Sequence, residues 1–155
     1  TKMNKTGEIK KLIFDQIIKN IDDRIETLKL AIESARESRD NETKCTVGDK
    51  YETGRSMMQF EMEKNRIQLN KTLNLKNELS QIDLHKKNER VTLGSLVVAT
   101  NGNYFISIGI GKLEVANEII YSISLASPIG KLLNNRKAGD KFSFQGKEIT
   151  ITEIF

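Results

Sequence analysis

Phe14–Ala35, FDQIIKNIDDRIETLKLAIESA, places Phe14, Ile18, Ile21, Ile25, Leu28, Ile32 and Ala35 at successive spacings of 4, 3, 4, 3, 4 and 3. On an α-helix that alternation keeps the apolar side chains in one narrow seam. It is the pattern of a coiled coil, not the wider stripe of a helix lying on a globular core. A second helical stretch begins near Asp49, with Met58, Met62, Leu69, Leu73 and Leu79 as its seam. Asn65 falls where an apolar residue is expected and is suited to setting register. Neither stretch contains proline, and the residues between them, Ser38 to Gly48, are polar and turn-forming. The spacing predicts an antiparallel hairpin of helices over about 7–38 and 49–83, closed by a tip at 39–48.

Working outward, the chain of 155 residues changes character near residue 90. Residues 1–90 hold three glycines and no proline, with 19 basic and 16 acidic side chains; residues 91–155 hold seven glycines, Pro128, and only 6 and 5 such charges. The second part therefore reads as turns and strands. Val91–Thr100 is β-branched and apolar, Asn101-Gly102-Asn103 signals a hairpin, and Tyr104–Ile110 continues as a strand. Glu118–Leu125 and Lys141–Phe155 supply further strands, the last broken by a tight turn at Gln145-Gly146-Lys147. Ser127 and Pro128 mark a short helix through Leu133, with Ser127 as N-cap and Pro128 in the first helical position. The expected fold class is α+β: a coiled-coil hairpin over 1–86 and, over 87–155, an antiparallel β-sheet with one short helix.

Composition narrows the chemistry. A single Cys45 excludes an internal disulfide framework, and one Cys with one His excludes the usual zinc sites. No apolar run approaches the roughly 18 residues of a membrane span, and the first residues lack a signal-peptide core, so a soluble cytoplasmic protein is expected. The net charge of +4 divides between the two parts and forms no basic run with interleaved aromatics, so it does not single out nucleic acid. His85 has no nucleophile motif beside it, and Gly109-Ile110-Gly111-Lys112 lacks the upstream glycine and the Ser/Thr of a phosphate loop, which leaves it a strand-end turn. An enzyme acting unaided is not expected. What remains is the acid-bearing tip: Asp40, Glu42, Asp49 and Glu52. Two carboxylates a few ångströms apart can hold a hydrated magnesium ion. Asp49 and Glu52 also fit a capping box at the start of the second helix, and both readings can hold together.

The segment Tyr121-Ser-Ile-Ser-Leu-Ala-Ser-Pro-Ile-Gly-Lys-Leu-Leu133, followed by Lys137-Ala-Gly-Asp-Lys-Phe142, resembles the C-terminal signature of the Gre-type bacterial transcript-cleavage factors. Val91–Val97, with Gly94, resembles that family's first C-terminal strand, and a helical hairpin is its other half. The resemblance implies an FKBP-like C-terminal domain that docks on RNA polymerase through Ser127, Pro128 and Ile129, and a coiled coil that enters the polymerase's secondary channel. It implies that Asp49 and Glu52, or alternatively Asp40 and Glu42, hold Mg2+ jointly with the polymerase, which then cleaves the RNA of a backtracked complex. Contact with nascent RNA would fall to Arg36, Arg39 or Arg55, the protein would be a monomer, and no membrane would be involved. The tip departs from the family beyond Glu52, where Thr53-Gly54-Arg55 stands in place of Asn-Ala-Glu. A non-cleaving regulator of the same shape is the nearest alternative, and an FKBP-like prolyl isomerase or a coiled-coil adaptor the more distant ones.

Overall fold

A computed structural model describes residues 6–42 and 48–155, with side chains described for 7–41 and 52–155. Cys45 and the rest of 43–47 lie outside the described residues. Helix α1 spans Thr6–Glu42 and α2 spans Gly48–Leu79. Compared with the periodicity reading, α1 runs on from Ser38 to Glu42 and α2 stops at Leu79, where Gln81 and Ile82 donate their backbone N–H to Glu78 and Leu79 in a turn.

Two polar contacts fix the direction of the pair. Arg39 Nη1 donates to Gln59 Oε1 at 3.0 Å and Lys76 Nζ donates to Asp22 Oδ1 at 2.7 Å. Going from the first contact to the second means seventeen residues back along α1 and seventeen forward along α2, as an antiparallel hairpin requires. Ile21, Ile25 and Ala35 are buried and Leu28 and Ile32 half-buried, as the 4-3 spacing demands. Toward its N-terminus the buried positions of α1 are Ile13 and Ile17, not Phe14 and Ile18, which are only half-buried. Contact grouping gives the reason: residues up to Ile17 cluster with Glu78–Phe155, while Ile18–Asn77 form a second compact unit. Burial steps of four, each advancing about 40° around the helix, turn the covered face from one environment to the other. In α2 the seam holds Met58, Met62, Asn65 and Leu69 but then passes through Thr72, 2% exposed, instead of Leu73, 41% exposed. The Thr72 hydroxyl donates to the Gln68 carbonyl at 2.8 Å, so its burial leaves no orphan donor.

The C-terminal unit is built on six strands: β1 Leu96–Ala99, β2 Gly102–Ile106, β3 Gly111–Val115, β4 Glu118–Ile123, β5 Lys141–Phe144 and β6 Lys147–Ile154, with helix α3 at Pro128–Leu133 before β5. The sheet order is β3-β4-β2-β1-β6-β5. Four of its pairs are antiparallel, but β2 and β4 run parallel, Asn103 opposite Ile120 and Ile106 opposite Ile123. The sheet is thus mixed, which corrects the all-antiparallel expectation. The chain leaves β2, passes outward through Gly109–Gly111, and returns by the β3–β4 hairpin, so β4 re-enters in the direction of β2. That hairpin turns on Ala116 and Asn117 with φ of 51° and 65°, and β5–β6 turns on Gln145 and Gly146 with φ of 51° and 77°. Paired positive φ values are those of the two-residue turns that match strand twist. Strand β3 was not anticipated, since Gly111-Lys112 read as a turn.

One face of this sheet carries Val97, Ala99, Tyr104, Ile106, Phe142, Ile149 and Ile151, closed over by Leu133 and the half-buried Ile129 and Leu132. Val97 sits opposite Tyr104, so their side chains share that face. Leu96 and Phe105, also opposite one another, are buried on the other. On β4, opposite Phe105, Ser122 pairs with Ser107 through their hydroxyls at 2.9 Å, and Ser122 Oγ donates to the Ile108 carbonyl.

Candidate functional site

The four acidic residues singled out in the sequence fall at the closed end of the hairpin. Asp40 and Glu42 are in the last turn of α1, and Asp49 and Glu52 in the first turns of α2. Positions 49 and 52, three apart on a helix, lie on one face; positions 40 and 42, two apart, point to different sides. The Glu52 side chain is exposed, whereas the side chains of Glu42 and Asp49, and with them the expected capping box, lie outside the described residues. Asp40 is already engaged: its Oδ1 accepts from Arg39 Nε at 3.3 Å and Nη2 at 3.2 Å. Through its other nitrogen Arg39 reaches Gln59, which donates to Glu63, which in turn pairs with Arg66 at 2.9 Å. A chain of polar contacts thus crosses from α1 to α2 just below the turn. Arg36, hydrogen-bonded to Glu33 at 2.7 Å, is held above the ordinary guanidinium value by that bond and by the carboxylate charge.

Among the described residues no group of three or more His, Cys, Asp or Glu could hold a metal ion. A magnesium ion held by a pair of carboxylates commonly completes its octahedral shell from water and other ligands.

Sequence reasoning missed a feature of the same helix. Met57, Phe60 and Ile67 are 61%, 71% and 57% exposed, and their spacings of three and seven put them on one outward stripe of α2. The signal was present as apolar residues outside the inner seam, yet a seam-only reading assigns no role to a second stripe.

At the C-terminal motif the structure gives each residue a job. Ser127, with φ −68° and ψ 158°, caps α3: its Oγ accepts from Gly130 N–H at 3.0 Å and donates to the Ser124 carbonyl at 2.7 Å. Pro128 occupies the first helical position, where no N–H is needed. Ile129 packs partly into the core, so Pro128 is the exposed member of the trio expected to face a partner, with Lys131 beside it. Arg136 follows, its guanidinium 4.9 Å from the Phe142 ring centre and its Nε donating to the Leu132 carbonyl.

No protein-family model matches the chain, and no curated protein matches it. Among solved structures it is similar to one described as the structure of the transcription factor Gfh1, at 17% identity and a TM-score of 0.34, over 91% of this chain and 92% of that one. A TM-score of that size assigns neither a shared arrangement nor an activity. Among the described residues no helix is long and apolar enough to cross a membrane.

Proposed function

We propose that this protein is a transcription elongation factor of the Gre type, which binds RNA polymerase, places its helical hairpin in the secondary channel and stimulates cleavage of backtracked RNA. One observation carries the reading: the segment on which the sequence resemblance rests, Ser127–Leu133, folds as a Ser-capped, Pro-started helix on a β-sheet, in a chain whose other part is a two-helix hairpin. At 1.5 Å per residue the 32 residues of α2 extend about 48 Å, ample for carrying side chains into a deep channel. Asp49 and Glu52 would supply two carboxylates on one helical face; Pro128, with Ser127 and Ile129 behind it, would meet the polymerase. A magnesium ion so held would orient water and offset charge on the attacking and leaving oxygens. The bond-breaking machinery belongs to the polymerase, and this chain contributes positioned carboxylates. Arg36, Arg39 and Arg55 are the arginines nearest the turn in sequence for contact with RNA.

The outward stripe of Met57, Phe60 and Ile67 supports a second reading, a regulator that fills the channel without promoting cleavage, because apolar contact alone suffices for occupancy. A pull-down with core polymerase, followed by a cleavage assay on a stalled elongation complex, separates the two. The expected result is retention on polymerase and accelerated RNA shortening, with the Asp49→Ala/Glu52→Ala double variant retained equally and its stimulation reduced at least about tenfold, the loss expected on removing charge-stabilising groups. Retention with no shortening by the unaltered protein establishes the non-cleaving regulator. Unchanged shortening in the double variant removes Asp49 and Glu52 from the mechanism and transfers the role to Asp40 and Glu42. Absence of retention ends both readings.

A further inference from the structure

At the beginning of α1 a lysine is buried where the hairpin chemistry has no use for it. Lys10 is 2% exposed, and its Nζ donates at 3.3 Å to the Lys86 backbone carbonyl. An ammonium has three donors, and among the described residues Lys10 forms no ion pair. It lines a cavity of about 210 Å³ with Gly7, Leu84, His85, Lys86, Lys87 and Phe155. Four of those residues are Lys or His, and three of the four, His85, Lys86 and Lys87, are exposed at the rim. A Cβ added at Gly7 would meet nothing within 4 Å among the described residues. Gly7 belongs to the first turn of a 37-residue helix, the end at which N–H groups lack intrahelical acceptors and the helix dipole is positive.

Burying a lysine without a carboxylate bonded to it is costly, and a folded chain tolerates it where something else supplies the negative charge. Asp83 is near enough to act on Lys10 through space, but its Oδ1 accepts the His85 N–H at 3.0 Å, which holds that carboxylate to its own turn. Desolvation dominates over Asp83 and brings Lys10 down to about 8, the state of a cation that lacks a close counter-charge. Cavity size, a buried lysine and exposed lysines among its lining residues and the beginning of a long helix beside it all favour the same kind of guest: a small, strongly charged oxyanion.

We propose that this cavity is a binding site for a phosphate-class oxyanion, with Lys10 as its buried anchor and Lys86, Lys87 and His85 as its outer contacts. The site is separate from the acidic turn of the hairpin and does not depend on the polymerase reading. Its test is a titration of the full chain with inorganic phosphate, and separately with ADP, at constant ionic strength set by chloride, followed by calorimetry and by backbone amide shifts. Saturable phosphate binding is expected, with shifts concentrated at Gly7 and His85–Lys87. Lys10→Gln should weaken it at least tenfold, and Lys86→Ala/Lys87→Ala several-fold. ADP binding no tighter than phosphate identifies the free ion as the guest, and tighter ADP binding identifies a nucleotide phosphoryl group; either upholds the site. Should Lys10→Gln fail to fold, the rim variant and the shift map decide in its place. Phosphate acting no differently from chloride, shifts lying elsewhere, or undiminished affinity in a folded Lys10→Gln chain would overturn the proposal.

Discussion

Gly130 shows how much one residue carries. Its φ is unremarkable for a helix, and the helix tolerates glycine only at a cost of about 1 kcal/mol relative to alanine. What demands it is proximity: a Cβ here would lie 2.0 Å from the Ser124 carbonyl oxygen, 2.8 Å from Ser127 Oγ and 3.0 Å from Leu125 Cα. Two of those three neighbours are backbone, which cannot swing aside. Gly130→Ala should therefore destabilise the C-terminal unit by about 2–4 kcal/mol, in the range of overpacked or capping-disrupted sites, against about 1 kcal/mol for removing the cap itself with Ser127→Ala. Urea denaturation measures both, and a Gly130→Ala cost no larger than that of Ser127→Ala would show that the loop relaxes around the methyl group. The roles of Ser127 and Pro128 were legible in the sequence because capping is decided by neighbours three residues away. Gly130's close contact was not, because it depends on how the chain before the cap folds back over the helix.

At the scale of elements, the two seams differ in how far periodicity described them. The lower part of α1, from Ile21 to Ala35, follows its 4-3 spacing because it faces one partner throughout. In α2 the seam shifts onto Thr72, and Leu73 is left 41% exposed; a polar residue that returns its hydroxyl to the backbone four residues earlier can occupy a seam that composition alone would deny it. Sequence spacing ranks Met62 and Leu73 as equals. The structure predicts that Met62→Ala, at a fully buried position, costs about 2–4 kcal/mol, whereas Leu73→Ala costs under about 1 kcal/mol. Thermal or urea unfolding of the two variants tests this, and equal losses would contradict the observed seam. In the sheet, the hairpins at Ala116-Asn117 and Gln145-Gly146 are local and turn on short-range conformation. The parallel pairing of β2 with β4 is not local: it joins segments separated by a whole hairpin, and no residue between them encodes which edge β3 will take.

For the whole molecule, the grouping of the start of α1 with Glu78–Phe155 gives Lys10 a consequence beyond its cavity. Burial lowers its pKa from 10.5 to about 8, with Asp83 opposing. Between pH 8 and 10.5 the unfolded chain holds a proton at this site that the folded chain has released, so stability rises with pH across that window and the full cost of the buried charge is present below pH 8. The expected gain is about 1–2 kcal/mol once solvent access is allowed for. It should be carried by unfolding of the unit containing Lys10 and be absent in Lys10→Met. Following chemical denaturation from pH 7 to 10.5 in both proteins checks it, and an identical pH profile in the two would remove Lys10 as the source.

The sequence by itself determined the helical hairpin, the capped short helix and the tight turn at Gln145-Gly146, because each follows from periodicity or from residues within one or two turns of each other. It also located the four acidic candidates, and helix geometry alone places positions 49 and 52 on one face and separates 40 from 42. Only the tertiary structure decided the mixed sheet, the shift of the α1 face onto Ile13 and Ile17, the seam passing through Thr72, and the burial of Lys10 beside Lys86. These depend on which distant surfaces meet. A one-dimensional pattern records how much apolar surface each element has to cover, but not which partner covers it.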